Sequence, residues 1–107
     1  MPGIALVTGA NRGIGLEVVR QLAAKQWQVF LTGRSLDSIE RVAVSLSVPS
    51  VIPVVLDVTD QGSIDRAVKT IAQTVDHLDV LVNNAGILDG HDDSVVDLPA
   101  DRLRRML

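Results

Sequence analysis

A glycine-rich turn near the start of the chain joins two segments of different periodicity, and it restricts the possible folds more than any other stretch. Ile4-Ala5-Leu6-Val7 is a continuous apolar run of the kind that forms a buried strand, whereas Ile14 to Leu22 carries apolar residues at helical spacing. Between them runs Thr8-Gly9-Ala10-Asn11-Arg12-Gly13-Ile14-Gly15. A strand feeding a tight turn that opens a helix leaves the first helical N–H groups unpaired, with the positive end of the macrodipole behind them. Such a corner seats a pyrophosphate. Glycine serves the turn, the close approach of backbone to phosphate and the packing of helix on strand, because a Cβ would intrude at each point. The spacing is Gly-x-x-x-Gly-x-Gly rather than the commoner Gly-x-Gly-x-x-Gly.

Further along, apolar runs alternate with helical periodicity, the pattern of a parallel sheet covered by crossover helices. Strands are expected near residues 4–8, 28–32, 51–56 and 79–83. The first helix offers a stripe of Ile14, Val18 and Leu22, with Val19 and Ala23 beside it. Ser35 or Asp37 can cap a second helix with the stripe Leu36, Ile39, Val42, Ala43 and Leu46. Asp60 or Ser63 can cap a third, whose stripe is Ile64, Ala67, Val68, Ile71, Ala72 and Val75. A last segment from about Pro99 places Leu103, Met106 and Leu107 in helical register. Pro53 cannot donate to a ladder, so the third strand belongs at a sheet edge. The order 3-2-1-4 puts it there, and the expected fold is an α/β, doubly wound parallel sheet in one domain spanning residues 1–107.

Two more motifs accompany the glycine turn. Leu56-Asp57-Val58-Thr59-Asp60 closes the third strand, and Asn83-Asn84-Ala85-Gly86 follows the fourth. Together, in this order, the three resemble the short-chain dehydrogenase/reductase family. The wording of Ala5-Leu6-Val7-Thr8-Gly9 and Leu31-Thr32-Gly33-Arg34 is most similar to its carbonyl-reductase-like branch. The resemblance implies a Rossmann, NAD(P)-binding fold. It covers nearly the whole chain but only the amino-terminal part of the family's fold, truncated after the fourth strand and the following helix. It also implies cofactor contacts from Gly9, Asn11, Arg12, Gly13, Ile14 and Gly15 in the turn. Asp57 would meet the adenine amino group, Val58 would flank the ring, and Asn84, Ala85 and Gly86 would lie near the ribose. Asn83 can serve structure or cofactor equally.

The nucleotide is read from the end of the second strand. In dinucleotide folds an acid about twenty residues beyond the glycines binds the ribose hydroxyls and disfavours a 2′-phosphate. Thr32-Gly33-Arg34 has no such acid. Arg34 and Arg12 instead offer guanidinium groups, and the resemblance implies that such a basic pair marks NADP-preferring members. Each charge-assisted contact contributes roughly 1.5–3 kcal/mol, and about 1.4 kcal/mol is tenfold, so with both arginines engaged NADP(H) is expected over NAD(H) by about a hundredfold or more.

Other classes are disfavoured. A net charge of −3 leaves no basic stripe for nucleic acid, and Arg102, Arg104 and Arg105 read as a solvated helix face. Trp27 and Phe30 are the only aromatics, too few for a stacking platform. Trp27 reads as packing that can also report cofactor binding by fluorescence. The absence of cysteine excludes disulfides and thiolate sites and fits a cytoplasmic protein. No stretch approaches the roughly 18 apolar residues of a membrane span. His77 and His91 read as solvated loop residues without ligand-like spacing, and Asp89 to Asp93 lacks the spacing of a calcium loop.

The family resemblance implies catalysis by a Ser, a Tyr-x-x-x-Lys pair and a helix Asn acting on a small-molecule carbonyl or alcohol. The chain contains no tyrosine, and Ser94 stands too close to the Asn-Asn-Ala-Gly motif to match the serine. Two readings follow. In one, the chain is the cofactor-binding part of an NADP(H)-dependent oxidoreductase, inactive alone; in the other, it is a non-catalytic dinucleotide-binding or sensing module. An unguarded fourth strand, or the last helix, would favour self-association.

Overall fold

A computed structural model describes residues 2–84, the backbone of 96–97, and Leu107. Its elements follow in the order β1 (Ile4–Val7), α1 (Gly13–Ala24), β2 (Gln28–Gly33), α2 (Leu36–Leu46), β3 (Val51–Val55), α3 (Gln61–Thr74), β4 (His77–Leu78), β5 (Val80–Val82) and β6 (Val96–Asp97). Four parallel strands form a sheet in the order β3-β2-β1-β5. This is the doubly wound arrangement expected, the fourth number having gone to the short β4, which pairs antiparallel with β6. Leu6 stands beside Phe30 and Leu81, and Phe30 beside Ile52, which sets the register. Pro53 lies in β3, next to Leu31 on its paired side, and β3 has no second neighbour among the described residues.

Both faces of the sheet are covered, which is why β1 and β2 read as unbroken apolar runs. Leu6, Phe30, Leu56 and Leu81 pack on one face with Ile64, Val68 and Ile71 of α3. Val7, Val29 and Leu31 pack on the other with Val19 and Ala23 of α1 and Ile39 of α2. Each large side chain so buried stabilises the fold by about 1.5–3 kcal/mol. Ser35 caps α2 by accepting from the Ser38 amide at 3.3 Å, and Asp60 caps α3 by accepting from the Gly62 amide at 3.0 Å.

The expected stripes shift in detail. On α1 the buried residues are Gly15, Val19 and Ala23, one position on from Ile14, Val18 and Leu22. Small residues let the helix approach β1 closely, and Ile14 is left 76% exposed. Leu36 and Ala72 also face outward, while Leu107 rests against the α3-side core. Leu103 and Met106 lie outside the described residues.

Candidate functional site

The carboxyl ends of β1, β2 and β3 open into a cleft of about 540 Å³. Gly9, Asn11, Arg12, Gly13 and Ile14 line one side, Gly33 and Arg34 a second, and Leu56 to Thr59 a third, with Asn84 at the end of β5. Open α/β sheets bind ligands at this rim.

The turn is shaped by two glycines and tied down by two polar residues. Gly9 and Gly13 adopt φ of 58° and 65°, in the left-handed region that side chains disfavour. Gly15 serves a different need: a Cβ there would lie 2.7 Å from the Gly9 carbonyl and 2.8 Å from Asn84 Nδ2. Buried Thr8 accepts from the Asn84 amide at 2.8 Å and donates to Asn83 Oδ1 at 3.1 Å. Asn84 Nδ2 donates to the Gly9 carbonyl at 3.2 Å, and the Ala10 amide to the Thr32 carbonyl at 2.8 Å. The turn is thus held to β2 and to the end of β5.

Helix α1 starts at Gly13 without a capping side chain, since the residue before it is Arg12. The amides of Gly13, Ile14 and Gly15 have no acceptor among the described residues. Arg12 and Arg34 are exposed on the cleft, and neither joins an ion pair among the described residues. Free amides and two cations suit an anion.

Asp57 supplies the opposite sign. Its Oδ1 accepts from the Thr59 hydroxyl at 2.6 Å and the Thr59 amide at 2.9 Å. These bonds, with a smaller contribution from the Arg34 charge, hold its carboxyl below the usual carboxylate value of 3.8. The cleft therefore presents a fixed acceptor beside its cations.

Of the residues expected from sequence, Gly9, Asn11, Arg12, Gly13, Ile14, Arg34, Asp57, Val58 and Asn84 line this one cleft. Gly15 lies behind it, where helix meets turn. Ala85, Gly86, His91, Ser94 and the Asp89 to Asp93 run lie outside the described residues. Gly33, Leu56 and Thr59 also line the cleft; the motifs Leu31-Thr32-Gly33-Arg34 and Leu56-Asp57-Val58-Thr59-Asp60 contain them, but neither motif marked them as cofactor contacts. Among the described residues no three His, Asp or Glu side chains gather as a metal site, and no helix is long and apolar enough to cross a membrane.

One expectation needs correction. His77 is not in a loop but in β4, its side chain still 42% exposed, where Nδ1 lies 2.7 Å from Asp76 Oδ1 and Nε2 lies 3.5 Å from Asp79 Oδ2. Trp27 packs as expected, at the amino end of the sheet, its ring carbon 2.6 Å from where a Cβ on Gly3 would sit.

A model of the family described as short chain dehydrogenase matches residues 3–107. The chain belongs to that family. It is 42% identical over 92 residues to (+)-neomenthol dehydrogenase of Arabidopsis thaliana, covering 80% of this chain and 31% of that protein. It is 38% identical over 87 residues to fatty acyl-CoA reductase of Acinetobacter baylyi, covering 78% and 29%. The Pseudomonas aeruginosa RhlG/NADP active-site complex superposes with a TM-score of 0.73 at 31% identity, over 79% of this chain and 35% of that one. This short-chain dehydrogenase sequence thus spans about three tenths of the length of these two curated relatives.

Proposed function

We propose that this chain binds NADP(H) in the rim cleft, as the cofactor-binding part of an oxidoreductase that interconverts carbonyls and alcohols. The observation that carries the reading is the meeting of an uncapped helix start with two exposed arginines in one cleft. The amides of Gly13, Ile14 and Gly15 would hold the pyrophosphate, and Gly9 and Gly13 keep that approach free of a Cβ. Arg12 and Arg34 would hold the 2′-phosphate, at a strand end that lacks the acid favouring NAD(H). Asp57 would accept from the adenine amine, with Val58 against the ring.

When bound, the nicotinamide would supply or accept a hydride. The protein's part here is to bind and orient. Without a tyrosine the 107 residues hold no Tyr-x-x-x-Lys proton donor, so by themselves they bind and do not reduce. Location in the cytoplasm fits the absence of cysteine.

Calorimetric titration of the 107-residue chain with NADPH and NADH tests the proposal. NADPH should bind about a hundredfold more tightly. Equal affinities would refute the arginine assignment, and no binding of either would refute the site.

A further inference from the structure

Asp57 is anchored through its backbone as well as its side chain, and the deepest anchor belongs to a different element. Its amide donates to Ser63 Oγ at 2.8 Å, and its carbonyl accepts from the Asp60 amide at 3.0 Å. Ser63 is 3% exposed, and with Thr8 and Thr32 it makes up the buried polar residues among those described. It sits in the first turn of α3 next to Ile64, whose burial in the core fixes the height of that turn against β3. Asp60, not Ser63, caps the helix, so the Ser63 hydroxyl is not needed to start it.

The bonds to Asp57 also decide which of its atoms remains available. Thr59 occupies Oδ1 twice, whereas Oδ2 has no partner among the described residues. We infer that Ser63 is a positioning residue, holding the Asp57 backbone so that Oδ2 accepts from the exocyclic amine of the bound base. The inference rests on the proposal that the cleft takes an adenine dinucleotide. A carboxylate rewards an amine there and repels an oxo group, because an ionised carboxylate can only accept. Discrimination between the two needs Asp57 held still, and Thr59 alone cannot do that, since it belongs to the same short turn and would move with it. The buried serine ties that turn to a packed helix.

The test uses a pair of probes differing on that edge of the base, where the 6-amino donor becomes a 6-oxo acceptor and N1 gains a proton: NADPH and reduced nicotinamide hypoxanthine dinucleotide phosphate, each titrated calorimetrically into the 107-residue chain. The wild type should prefer NADPH by about tenfold. In Ser63→Ala that ratio should shrink at least about threefold, because the Asp57 amide loses its direct bond to α3 and only the Asp60 contacts still join turn and helix. Equal weakening of both probes would overturn the inference, since a merely structural role moves both alike. No preference in the wild type would overturn it too. Failure of the wild type to bind either probe would instead bring down the cofactor proposal and the inference with it. If Ser63→Ala does not fold, hydrogen exchange in the wild type decides: the Asp57 amide should exchange at least about tenfold more slowly than in an unstructured peptide, and exchange at the free rate would overturn the anchor.

Discussion

The two ends of the sheet treat their polar groups in opposite ways. At the amino end the strands are sewn together: Asp79 donates its amide to the Ile4 carbonyl at 2.7 Å and accepts the Ile4 amide on Oδ2 at 2.8 Å. The Gln28 amide meets the Gly3 carbonyl at 3.0 Å, Trp27 packs over Gly3, and His77 flanks Asp79. At the carboxyl end Thr8 and Asn84 hold the glycine turn, yet the first amides of α1 and the guanidinium groups of Arg12 and Arg34 are left without acceptors among the described residues. Unmet donors cost stability unless water or a ligand meets them, so such groups gather where a ligand is expected.

Glycines at the two ends provide the sharpest test. Gly15→Ala drives a Cβ onto backbone at 2.7 Å and should cost about 3 kcal/mol in urea unfolding. Gly3→Ala also meets close atoms, two Trp27 ring carbons at 2.6 and 2.7 Å and Asp79 Oδ2 at 3.0 Å, but all belong to side chains that yield more readily than backbone, so about 1 kcal/mol is expected. Equal costs would break the distinction between a rigid rim and an adjustable one.

Next in size is Arg34→Asp, which should erase the preference for NADPH over NADH, a change of about a hundredfold or about 2.7 kcal/mol. Stability should stay within about 0.5 kcal/mol, since Arg34 is exposed. Asp79→Ala makes the converse prediction: a loss of about 1–2 kcal/mol with faster exchange at the Ile4 amide, and unchanged NADPH affinity.

The smallest effect concerns pH. The Asp76 hydrogen bond raises the His77 pKa above its ordinary 6.5; desolvation, next in size, opposes it, and the charges of Asp79 and Asp76 add to the rise. The folded state therefore holds this proton more tightly than the unfolded chain. Its stabilisation is complete below about pH 6.5 and fades as pH rises through the higher folded value. Melting temperature should fall slightly across that range, and His77→Gln should remove the step. A step that persists would place the titration elsewhere.

Much of the fold was legible because its signals are local. The β1 and β2 runs end within one residue of their expected limits, and Pro53 marked the sheet edge through a missing N–H. The cleft was legible for the same reason, since the glycine turn, Arg34 and Asp57 each stand just after a strand, and parallel strands bring those ends together. The α1 stripe was misread by one position because hydrophobicity favours Ile14, whereas close packing against the turn favours Gly15. β4 carried no periodic signal, being two residues long, and with it went the setting of His77.

Sequence alone thus determined the doubly wound order, the family and the strand ends that face a ligand, all of which follow from backbone preferences and periodicity along the chain. Tertiary structure decided the bond from Asn84 to Gly9, the pairing of Asp79 with Ile4 and the direction in which Ile14 points. The two bonds join residues 75 apart, and the exposure of Ile14 depends on how closely α1 can approach the sheet. Such distances exist only once the chain has packed.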